Sequence, residues 1–175
     1  MKKVWVLGLG LTLALAGCSD TGSDEAKKED TSKASEETTN VAGELMDFYL
    51  NLTTTVNGVD IDLNGFEEAM AGEEPPAGEE LAEMKEAASA SATESAKVVE
   101  GMEIPEGLGE QKEDVESFKS TLAESYNMKA EALSKEGEAD LTAANEKLNE
   151  AENQIKEILE EAGLVSSSLI SDING

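Results

Sequence analysis

Asp60, Asp62 and Asn64 stand at alternate positions in the stretch VDIDLNGFEEA, and Gly65 and Glu68 follow. An EF-hand-type calcium loop begins this way, with oxygen ligands at its first, third and fifth positions, a tight-turning glycine at the sixth and a further oxygen at the ninth. Here the loop is incomplete. Its twelfth position, which should supply a bidentate glutamate, is Ala71, and its eighth, normally aliphatic, is Glu67. The expectation is at most low-affinity calcium binding through Asp60, Asp62, Asn64 and Glu68, and no other cofactor is in view.

Other chemistries lack their residues. The chain has no histidine, and each of its cations is a lysine. Nucleophilic catalysis through histidine, Glu-x-x-His di-metal sites and histidine-ligated zinc are thereby excluded. No lysine follows a serine at three residues, and no glycine-rich loop follows a strand. With 39 acids, paired carboxylates arise at any spacing and signify nothing. The five aromatics beyond residue 17 are Phe48, Tyr49, Phe66, Phe118 and Tyr126; all but Tyr49 fall on apolar seams, where core packing accounts for them. No enzyme activity is expected.

The most specific signal is at the start, MKKVWVLGLGLTLALAGC. Lys2 and Lys3 precede an apolar run from Val4 to Ala16, too short and wrongly flanked to span a membrane, so residues 1–17 read as a secretory signal. Leu15-Ala16-Gly17-Cys18 resembles the lipobox of bacterial lipoproteins. That resemblance implies cleavage before Cys18, the sole cysteine, and its diacylation. Two acyl chains give stable anchoring to the membrane, on its extracytoplasmic face.

Loss of residues 1–17 removes two of the 13 lysines and none of the 39 acids, so the charge moves from −26 to −28. A surface this acidic repels nucleic acid and anionic headgroups.

Residues 18–40 follow the signal as the lipidated cysteine and a polar stretch without large apolar side chains. It cannot bury enough surface to offset ordering, and is expected to be a disordered tether of about 26 Å root-mean-square span. Residues 41–175 suit one domain. A segment over about 78–101 carries Leu81, Met84, Ala88, Ala92, Ser95, Val98 and Met102 on one stripe. Another, 106–136, carries Leu108, Val115, Phe118, Leu122, Tyr126 and Leu133; a third, 139–172, runs from Leu141 to Leu169 at gaps of three and four. These are amphipathic helices with coiled-coil-like seams. The Ala/Ser-rich middle of the first, residues 87–96, either packs close to a neighbouring backbone, the simpler reading, or leaves a small-ligand pocket between helices.

The segment 41–71 is contested. Asn57-Gly58 is a favoured hairpin turn, flanked by β-branched LTTTV and alternating VDIDL. The wider pattern points elsewhere: Val41, Leu45, Phe48, Leu52, Val56, Val59, Leu63, Phe66 and Met70 recur at three and four. That is one long helical seam. Four helices, at about 41–71, 78–101, 106–136 and 139–172, then give an all-α fold, an antiparallel up-down four-helix bundle.

Lipobox, polar tether and acidic helical domain together resemble the small helical surface lipoproteins of Gram-positive bacteria. The resemblance implies a non-enzymatic binding or spacer module at the cell surface, with a protein, peptide or cell-wall partner. Weak calcium binding and a small ligand between helices are the alternatives.

Overall fold

The computed structural model describes residues 30–174, with side chains from residue 40 onward. Residues 1–29, including Cys18, lie outside the described residues. The described chain is helical, with no strand. Its elements are α1 (Asp30–Asn57), α2 (Ile61–Ala71), α3 (Glu79–Gly101), a 3₁₀ turn (Glu106–Gln111), α4 (Lys112–Ser134), α5 (Thr142–Glu161) and α6 (Leu169–Ile173).

The contested segment is neither a hairpin nor one helix: it is α1 and α2 with a break between them. The threonines, whose local preference is for strand, turn their hydroxyls onto their own helix. Thr53 Oγ1 donates to Tyr49 O at 3.1 Å and Thr55 Oγ1 to Asn51 O at 2.6 Å. Their hydroxyls are thereby satisfied within the helix. At Gly58 the ladder tightens to three-residue bonds, Gly58 N to Thr55 O and Val59 N to Val56 O, and α2 opens with Asn64 N donating to Asp60 O. The apolar seam survives the break, since Leu45, Phe48, Leu52, Val56, Leu63 and Phe66 are all buried. Periodicity thus located the core face and missed the interruption.

Helix α1 also begins earlier than expected, at Asp30, so the backbone of residues 30–40 is helical where a tether was anticipated. Extending an existing helix costs far less than nucleating one, which lets a packed helix carry a polar extension.

The other two long segments are interrupted as well. Residues 106–136 divide at Gly109, whose φ of 59° breaks the helical path between the 3₁₀ turn and α4. Residues 139–172 end their main helix at Gly163, with φ 76°. There Gly163 N donates to Glu160 O and Leu164 N to Leu159 O, the paired bonds of a Schellman stop. Val165, expected on the seam, is consequently 91% exposed. The strain of an L-residue in this conformation is roughly 1–2 kcal/mol. Gly163→Ala is accordingly expected to destabilise the domain by about that amount in urea unfolding; an unchanged midpoint would show that the stop relaxes freely.

Helices α3 and α4 make the most extensive contact, antiparallel to one another. Near one end Lys119 Nζ donates to Glu100 O and Met102 O; near the other Lys85 Nζ donates to Lys135 O and Gly137 O. The small face of α3, with Ala88, Ala92 and Ala96 fully buried or nearly so, permits the close approach. Helix α5 packs on α4 and α2 on α3, while α1 meets the 3₁₀ turn and α6. Helix α6 is held to α1 and α2 by Tyr49 Oη donating to Asp172 Oδ2 at 2.6 Å, Asn57 Nδ2 to Asp172 O at 2.7 Å and Asn64 Nδ2 to Ile173 O at 3.2 Å. Leu169 and Ile173 are buried beneath it.

Candidate functional site

The four residues with calcium-loop spacing do not converge on one point; only the Asn64 amide lies beside the Asp60 carboxyl. Residues 61–71 are an α-helix, and successive positions on a helix diverge by about 100° instead of curling around an ion. Asp62 and Glu68 face solvent. Asn64 spends its amide on the carbonyl of Ile173, and Asp60 turns inward, 1% exposed. Among the described residues no group of three or more acidic, histidine or cysteine side chains converges as a metal site.

Asp60 instead enters a buried polar cluster. Its Oδ2 accepts from Tyr126 Oη at 3.3 Å, while Oδ1 is buried without a hydrogen-bond partner. Burial raises the Asp60 carboxyl to about 6; the Tyr126 hydroxyl, the Asn64 amide, its own backbone N–H and the charge of Lys129 act in the opposite direction. Tyr126 is itself pushed well above the ordinary phenol range by burial and by the neighbouring carboxylate. One turn along α4 from Tyr126, Lys129 is 4% exposed, and its Nζ lies 2.6 Å from Glu67 Oε1 on α2. Ser91 of α3 completes the junction, donating to Val59 O at 2.7 Å and accepting from Leu63 N at 3.3 Å. It ties α3 to the break between α1 and α2.

Lys129 was the residue that the sequence reading passed over. It occupies the seam position between Tyr126 and Leu133, at three and four residues from them. A lysine there signals a buried partner, because burying an unpaired ammonium is prohibitive.

Glu67 also borders a large concavity. A groove of about 1270 Å³ opens between the C-terminal half of α2, the N-terminal half of α3 and the connection from α4 to α5. Phe66, Met70, Leu81, Leu133 and Leu141 give it an apolar floor. Glu67, Glu86, Glu136 and Glu138 are on its walls and rim. The α3 wall includes Ser89, Ala90 and Thr93, part of the Ala/Ser-rich stretch for which the sequence left two readings open. One side of the stretch is buried in the core and the other borders the groove, with Ser89 between them donating to Ala130 O on α4.

Comparison with known proteins bears on the N-terminus. Residues 1–19 match the family model for the prokaryotic membrane lipoprotein lipid attachment site. The matched stretch contains Leu15-Ala16-Gly17-Cys18, and the match supports a bacterial lipoprotein anchored to a membrane by lipid. No curated protein and no solved structure matches the chain significantly.

Proposed function

We propose that this chain is a non-enzymatic binding module, held on the extracytoplasmic face of the membrane through diacylated Cys18, and that the groove beside α3 is its binding surface. The groove is the observation that carries the reading. A pure spacer has no use for an apolar concavity of about 1270 Å³, whereas a binding surface combines an apolar floor with a few placed polar groups. The lipid-attachment match supports the tether, and tethering raises the effective concentration of the domain for partners near the membrane. Absence of histidine from the whole sequence supports a role without catalysis. We read the architecture as an up-down bundle of four helical runs, α1 with α2, α3, α4 and α5, a reading supported by the antiparallel contacts between α3 and α4.

Site-directed photocrosslinking on intact cells tests the proposal. A photoreactive residue at Ala90, in the groove, should capture a partner that the same residue at Glu157, exposed on α5, does not. Equal capture from both positions, or none from either, would leave the spacer role standing. Attachment has its own test. Cys18→Ser should release the protein from the membrane fraction or leave it unprocessed, and normal processing with unchanged membrane retention would refute lipidation.

A further inference from the structure

We propose that the occupant of the groove is a cationic amphipathic helix of about four turns, presented by a partner protein or peptide. This rests on the groove being the binding surface and adds the chemistry of what fills it. Length is the first reason. Helix α3 lines the groove from Gly78 to Thr93, about 22 Å at the helical rise, which matches roughly four turns of a second helix. The volume also exceeds the roughly 300–1,000 Å³ usual for small-molecule pockets.

The wall has the relief that a helix needs. On the groove side of α3, Ala82 stands at one end and Ser89, Ala90 and Thr93 at the other, with Lys85 and Glu86 between them. The small side chains at Ser89, Ala90 and Thr93 leave the ridge low there, so a partner helix can approach toward the short end of the usual ~8–10 Å interaxial range, with Glu86 beside it. The floor is aliphatic and aromatic, with Met70 able to adapt to different apolar faces.

Charge selects the sign of the partner. The lysines around the groove are already engaged: Lys129 with Glu67, Lys135 with Glu131, and Lys85 with the carbonyls of Lys135 and Gly137. Among the described residues, Glu86, Glu136 and Glu138 on the rim have no ion-pair partner. The C-terminal end of α4 adds its partial negative charge at the same place. A second copy of this chain would bring its own excess of acid against that rim. A lysine- or arginine-bearing helix edge complements it and would associate faster at low salt.

Fluorescence anisotropy can test this with the mature lipidated protein in phosphatidylcholine nanodiscs, with empty nanodiscs as the blank. The probe is a labelled Leu/Lys amphipathic helix of about four turns. Saturable binding is expected, weakened by added salt and reduced by about tenfold or more in both Ala90→Trp and Glu86→Lys/Glu138→Lys, with thermal unfolding of the variants unchanged. Equal affinity for the wild type and both variants would overturn the proposal, because the peptide would then follow the general acidity of the surface. A Leu/Gln peptide of the same apolar face that binds as tightly would keep the groove as a binding surface and overturn its preference for cations. Self-association in sedimentation equilibrium that Ala90→Trp abolishes would make a second copy the occupant instead. If neither peptide binds while crosslinking at position 90 still captures a partner, the helix class is overturned and the binding surface stands.

Discussion

Asp60→Asn should make the protein more stable at pH 7 to 8, by about 3 kcal/mol in urea unfolding, and the gain should fade as the pH is lowered toward 4. The carboxyl is 1% exposed, has one oxygen without a partner, and is raised to about 6 chiefly by burial. An acid whose folded-state value lies above its unfolded value of 3.8 binds its proton more tightly in the folded protein. Stability therefore falls as the pH rises from about 4 to about 6 and stays reduced above that, the reverse of an ion-paired carboxylate. Each unit of displacement corresponds to about 1.4 kcal/mol. Asparagine keeps the shape and an acceptor for Tyr126 but carries no charge.

The groups facing Asp60 limit competing explanations. Tyr126 and Lys129 approach from α4 and the Asn64 amide from α2, whose Glu67 is bonded to Lys129. Acidification also relieves repulsion across the whole acidic surface, in the variant and the wild type alike, so the informative quantity is the difference between their pH curves. Parallel curves would mean that the Asp60 carboxyl titrates alike in the folded and unfolded protein, so that burial imposes no penalty on its charge. Tyr126→Phe should act in the opposite direction at neutral pH, because it removes the hydroxyl that donates to Asp60 Oδ2.

The sequence pattern conveyed the apolar faces more faithfully than the ends of the helices. The α4 seam is buried where three- and four-residue spacing placed it, from Val115 through Phe118, Leu122 and Tyr126 to Leu133. On α3 the buried valine is Val99 and not Val98, a shift of one residue around the helix. Boundaries failed where a single backbone conformation overrode a continuous pattern, as at Gly58, Gly109 and Gly163. The seam runs on past Gly58 and Gly109, and past Gly163 it resumes at Leu169 after the exposed Val165, because the chain turns and then packs against the same core. The candidate site was less legible still. Asp60 drew attention through its spacing with Asp62 and Asn64, but of these only Asn64 is beside it, and the rest of its polar surroundings, Tyr126 and Lys129, come from more than sixty residues away. A groove arises from how helices end relative to one another, and no periodicity records that.

Ala92→Leu tests whether the small inner face of α3 is a structural requirement. Ala92 is fully buried at the centre of that face, with Ala88 and Ala96 one turn to either side. The interface is narrow enough for Ser89 Oγ to donate directly to the backbone carbonyl of Ala130 on α4, at 3.0 Å. Three added carbons have no space to enter there, so α3 and α4 must separate or adopt strained rotamers. The expected cost is about 3 kcal/mol, with a lower urea midpoint. Ala90, two residues away, is exposed on the groove side, and enlarging it should leave stability nearly unchanged while obstructing the groove. The contrast between these positions separates the two uses of one Ala/Ser-rich stretch. If Ala92→Leu is tolerated as well as Ala90→Trp, close packing between α3 and α4 is not what fixes the small residues on the inner face. If Ala90→Trp is as damaging as Ala92→Leu, the groove closes in solution and cannot serve as an open binding surface.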